Sequence, residues 1–89
     1  MHIMYVIQHD QTRHVYFGRT SDLKRRLAQH NAGLQTSTKR ESGVWHLVYA
    51  EAYRDKRDAV QREDKLKQHG SAKYKLYIRI KHSMIRDRN

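Results

Sequence analysis

Two predicted helices of this chain each turn charged side chains into the stripe that an amphipathic helix keeps apolar, and that limits the folds open to it. Counting from Leu23, positions i, i+3, i+4 and i+7 are Leu23, Arg26, Leu27 and His30, the spacing of one helical face. Lys24, Arg25 and Gln29 already supply a polar side. The second stripe runs Ala59, Val60, Glu63, Leu66 and Lys67, with Glu63 about 40° around from Ala59 at roughly 100° per residue. Burying an unpaired charge is expensive, so these groups must meet each other, a cleft or a ligand. A structural Arg26–Glu63 ion pair beside a neutral core His30 satisfies the pattern, and so does a functional cleft.

The rest of the chain reads as short elements. His2–Gln8 and Val15–Phe17 are rich in β-formers and enclose a polar loop, predicting a hairpin. Ser21 is the expected N-cap of the first helix, with Asp22 near the positive end of its dipole and Gly33 suited to its end. After a hydroxyl-rich basic loop over 34–43, Val44–Ala50 reads as a third strand with Trp45, Leu47 and Tyr49 alternating. A helix follows over Lys56–Gln68 with Gly70 as terminator. Another starts at Ser71, with Tyr74, Tyr77, Ile78 and Lys81 at helical spacing, although its β-branched and aromatic content also suits a strand. The expected fold is α/β, a small three-stranded sheet flanked by helices in the order β-β-α-β-α-α. Residues 1–82 form one domain and 83–89 a basic tail.

Composition narrows the function. The 89 residues include no cysteine, which excludes a disulfide framework and a thiolate metal site. No apolar run approaches the ~20 residues that cross a bilayer, and the N-terminus lacks a signal-peptide core, so a soluble cytoplasmic protein without membrane contact is expected. Nineteen Lys and Arg against nine Asp and Glu give a net charge of +10. A domain this basic repels itself unless it meets a polyanion, and nucleic acid is the first candidate.

At this point several residues fall into one pattern. Ile3-Met4-Tyr5 and Tyr16-Phe17-Gly18 place two tyrosines eleven residues apart, Arg19 follows the glycine, Arg26 and His30 lie on the next helix, and Glu63 lies on a later one. In this the chain resembles the GIY-YIG nuclease superfamily, most closely its small stand-alone members related to the catalytic module of the nucleotide-excision-repair incision subunit. The resemblance runs from about residue 3 to residue 80. It implies a DNA endonuclease with Tyr5, Tyr16, Arg26, His30 and Glu63 as catalytic residues, Arg19 as a phosphate-binding support and Glu63 as the metal ligand. Ile3 stands where the family's first glycine lies. The asparagine that commonly follows the glutamate by some 12 to 15 residues has no counterpart in Lys75–Ile78.

Residue chemistry fits that expectation. One carboxylate holding a hydrated Mg²⁺, or Mn²⁺ in its place, suits a metal that keeps its waters and binds phosphate. Arg26 is able to fork onto phosphate oxygens as charge develops. Tyr5 or Tyr16 would hold or activate water if cations lowered its pKa, with His30 relaying the proton. No element beyond the core resembles a sequence-reading domain, so cleavage is expected to depend on nucleic-acid structure, to be weakly sequence-specific, or to be targeted by a protein partner. The alternative is a non-catalytic basic nucleic-acid-binding protein that keeps the fold, and the missing asparagine is its best support. A protein-interaction module leaves both tyrosine signatures unexplained. Oligomeric state is open. His2, His9, His14, His46, His69 and His82 read as surface residues, Trp45 as core, and Lys39, Arg40, Lys65, Lys67, Lys73 and Lys75 as a solvated basic surface.

Overall fold

A computed structural model of the chain describes residues 1–33 and 43–86. Its middle strand, β1 (His2–His9), pairs antiparallel with β2 (Val15–Thr20) on one side and β3 (Trp45–Tyr53) on the other, giving the sheet order β2-β1-β3. Helix α1 (Leu23–Asn31) lies between β2 and β3 in sequence, and α2 (Lys56–Gln68) and α3 (Gly70–Arg79) follow. The expected β-β-α-β-α-α order is the observed one.

Because side chains alternate along a strand, β1 serves two faces. Met4 and Val6 point to the face covered by α2 and α3, where they pack with Phe17, Leu66, Ala72, Leu76 and Ile80. Tyr5, Ile7 and His9 point to the other face, and all three are buried. Pairing Tyr5 with Gly18 and Ile7 with Tyr16 puts Tyr16 on that same face. Arg19, opposite Met4, falls on the α2 side.

Several local expectations are corrected. Asp22, in extended conformation, is the N-cap of α1 and accepts from the Arg25 N–H at 3.1 Å, so Ser21 lies one residue outside the cap. Asp55 caps α2 in the same way. Gly70 opens α3 and does not end α2. The break is made by extended His69, whose backbone needs no left-handed residue. The buried positions of α3 are Ala72 and Leu76, continued by Ile80, whereas Tyr74 and Ile78 face outward. The even alternation of β3 fails because Val6 pairs with Tyr49 but Ile7 with Leu47. Val48 is thus the extra residue of a β-bulge, and Tyr49 turns to the face opposite Trp45.

Chain ends and loops are tied by polar clamps. Asn31 receives the Trp45 N–H at 2.8 Å and donates to the Trp45 carbonyl at 3.1 Å, fixing the end of α1 to the start of β3. Buried Gln8 accepts from the Ile85 N–H at 2.7 Å, and Met84 packs on the core, so residues 84 and 85 fold back onto the domain. The basic loop expected over 34–43, with Lys39 and Arg40, lies outside the described residues except for Gly43. Among the described residues no helix is long and apolar enough to cross a membrane.

Asn31→Ala removes both clamp bonds and leaves the Trp45 amide to water. Urea unfolding is expected to show a loss of about 1–2 kcal/mol with an unchanged m-value.

Candidate active site

Gly18 is the pivot of the site. It sits opposite Tyr5 in the β1–β2 ladder, and the Tyr5 phenol lies so close over it that any Cβ at position 18 would overlap the ring and its hydroxyl. The backbone of an edge strand therefore replaces a side chain as the floor beneath Tyr5. Tyr5 is 1% exposed.

Above that floor α1 brings its unusual stripe into place. The Tyr5 hydroxyl lies 2.7 Å from His30 Nε2, and His30 is buried. The Tyr16 ring closes the group, 5.1 Å from the His30 ring and 6.3 Å edge-on from the Tyr5 ring. The Arg26 guanidinium stands beside the Tyr5 phenol and acts electrostatically on His30 as well.

Burial pushes the Tyr5 phenol up to about 12, Tyr16 and Glu63 add to the rise, and Arg26 opposes it. Arg26 lowers this phenol, as a nearby cation should, but desolvation outweighs it. Burial, assisted by the Arg26 charge, moves His30 below its ordinary value. Imidazole and phenol are thus both neutral at pH 7.

Glu63 reaches the site from α2, on the other side of β2. Arg26 is not its partner. Its Oε1 receives Arg19 Nε at 3.1 Å, and its Oε2 receives Lys67 Nζ, one helical turn away, also at 3.1 Å. Lys67 in turn lies 5.6 Å over the Tyr16 ring, within the range of a cation–π contact. This ammonium therefore joins the two halves of the cluster around the edge strand while staying about half exposed, on the basic surface that the sequence suggested. Its signal in the sequence was the i+4 spacing from Glu63. Next to Arg19 a cleft of about 230 Å³ opens, lined by Arg19, Thr20, Ser21, Arg26 and Lys56 with Ala59 at its base. Two sequence-nominated arginines thus face one anion-sized space.

His9 also departs from expectation. It is fully buried, its ring stands edge-on to Trp45 at 5.2 Å, and its Nδ1 accepts from the Gln11 and Thr12 N–H groups. Trp45 is core, as its place in the strand suggests.

Comparison with known proteins gives the family. The family model described as the GIY-YIG catalytic domain matches residues 1–75. The chain belongs to the GIY-YIG family. That is a nuclease fold, which makes nucleic acid the substrate class of the family. The chain is 38% identical over 64 residues to a UPF0213 protein of Bacillus pumilus, a match covering 72% of this chain and 65%, just under two thirds, of that protein. It is 37% identical over 68 residues to a UPF0213 protein of Halobacterium salinarum, covering 76% of this chain and 87% of the relative. The solution NMR structure of a UPF0213 protein from Bacillus halodurans is similar at TM-score 0.55 and 26% identity, over 90% of this chain and 84% of that one.

The position of His30 in this GIY-YIG domain gives a pH signature. The unfolded chain binds a proton near pH 6.5 that the folded chain resists, so the His30 contribution to stability is present above that pH and is lost as pH falls below it. Comparing urea midpoints between about pH 7 and pH 5, the loss is expected to be smaller in His30→Gln than in wild type.

Proposed function

We propose that this GIY-YIG domain is a metal-dependent phosphodiesterase acting on nucleic acid, a DNA endonuclease of structure-dependent or weak sequence specificity, and that its biological setting is DNA repair. The observation that carries the reading is the Tyr5–His30 hydrogen bond set beside Arg26, with Arg26 and Arg19 lining one cleft.

Donor chemistry decides whether a metal fits. No group of three or more His, Asp or Glu able to enclose an ion is found among the described residues, which argues against an all-protein cage. A single carboxylate behind the cleft, paired with its lining Arg19, suits Mg²⁺, which keeps most of its waters and is satisfied by one protein ligand plus phosphate. Glu63 would be that ligand. When bound, the ion supplies charge neutralisation at the phosphate and the leaving oxygen.

The remaining roles belong to side chains. Arg26 and Arg19 would bind non-bridging phosphate oxygens in the cleft they share. With its phenol raised to about 12, Tyr5 does not act as a free phenolate at pH 7. It would take a proton from the attacking water while passing its own to His30 Nε2 at 2.7 Å, so that no phenolate forms and the positive charge is carried by the His30 imidazolium. Neutral His30 is the acceptor this relay needs. Tyr16 would hold the water and shield the dyad.

The experiment compares cleavage of labelled DNA and RNA structures by wild type and Glu63→Gln, with Mg²⁺ and with EDTA. The proposal expects cutting only with the ion, a fall of at least about a hundredfold in Glu63→Gln, and binding retained in both. Equal binding without cutting by either protein would instead make this a nucleic-acid-binding protein on a nuclease fold.

A second measurement reads the metal directly. Lys67 holds Glu63 Oε2 and so competes with a cation for that oxygen. Lys67→Met is expected to bind Mn²⁺ several-fold more tightly than wild type by electron paramagnetic resonance, and Glu63→Gln to lose that binding.

A further inference from the structure

A second cationic cleft lies on the far side of α2, where the proposed chemistry makes no use of it. It has a volume of about 370 Å³ and is lined by Arg62, Lys65, Ser71, Lys75 and Arg79, over a floor of Ala72 and Leu76. At about 100° per residue Lys65 stands some 160° around α2 from Glu63, so the helix separates this cleft from the catalytic one. The sequence alone left Lys65 and Lys75 on an undifferentiated basic surface. In the fold they converge with two arginines across the α2–α3 junction.

The anionic side chain beside this cleft is already engaged. Glu51 accepts from Tyr49 Oη at 2.6 Å and from Tyr53 Oη, and Arg62 clasps it with Nε at 3.0 Å and Nη2 at 3.2 Å. That fork fixes the Arg62 guanidinium before any ligand arrives, so its ordering cost is already met by the fold. Asp58 lies in an adjoining, shallower hollow with Tyr53, Gln61, Arg62 and Lys65. Among the described residues no ion pair is formed by Lys65, Lys75 or Arg79. Three exposed cations around one fixed arginine repel one another, and an anion relieves that repulsion.

We propose that the α2–α3 cleft binds backbone phosphates of the nucleic-acid substrate away from the bond being cut, and so sets how the duplex lies across the domain. This rests on the reading of the catalytic cleft as a nucleic-acid site. A phosphodiester run fits better than a small anion because the cations are spread along two helices and the cleft is open to solvent. Contacts of this kind carry no base information, which agrees with structure-dependent cutting.

The test is fluorescence anisotropy of a labelled duplex in EDTA, with the binding constant measured between about 50 and 200 mM KCl. Lys75→Gln/Arg79→Gln changes two exposed side chains and leaves the core untouched, and its thermal unfolding is followed alongside. The slope of log K against log salt is expected to become shallower by ~1.8, about 0.9 for each lost phosphate contact. In wild type, duplex is also expected to shift the amide resonances of Ser71 and Ala72. An unchanged slope with unshifted amides overturns the proposal while leaving the catalytic reading intact. A wild type that binds no duplex and no single strand overturns both.

Discussion

Everything in this fold depends on burying one strand from both sides. β1 is the middle of a three-stranded sheet, and Met4 through His9 are all buried. Only 37% of the chain is hydrophobic, and most of the buried aliphatic side chains go to one face, where Met4 and Val6 meet Phe17, Leu66 and Leu76, while Ile7 lies on the other. The other face is covered by rings that carry polar atoms. Most of those atoms find a hydrogen bond inside the protein, although among the described residues the buried His9 Nε2 has none. Tyr5 finds His30, and His9 Nδ1 receives two backbone N–H groups. The site is therefore the polar half of the core. The high pKa of Tyr5 follows directly from that, since desolvation is its largest cause.

That arrangement explains why some features were legible in the sequence and others were not. The order of elements was readable because the first two helices carry a clear period and each strand a run of β-formers, whereas the third helix was readable only in outline. Arg26, His30 and Glu63 stood out because charge on an apolar stripe is a conflict that needs a reason. Of their partners, Lys67 alone had a signal, its i+4 spacing from Glu63. Glu63 pairs with Arg19 and Lys67, a choice fixed by which face of β2 Arg19 occupies, and that depends on the register of Gly18 against Tyr5. The bulge at Val48 was invisible for a similar reason, as nothing local distinguishes an extra residue in a β-rich run. His9 was misjudged because its polar neighbours in sequence form the loop that satisfies it. The direction of the Tyr5 shift depended on burial, which one strand's sequence does not report.

The electrostatics of the two clefts share one device. A chain of net charge +10 has cations to spare, and the informative groups are the few carboxylates used to hold them in place. Glu51 fixes Arg62 at the α2–α3 cleft, and Glu63 fixes Arg19 and Lys67 at the catalytic one. The two differ in what the carboxylate is free to do. Glu51 also receives two tyrosine hydroxyls, so its bonds are saturated and its role is static. Glu63 holds only charged partners, each about half exposed and able to swing away. On the proposed function, a cation that claims one oxygen of Glu63 releases an ammonium or a guanidinium toward the phosphate. Neutralising the substrate and binding the ion would then draw on the same exchange of partners around one carboxylate.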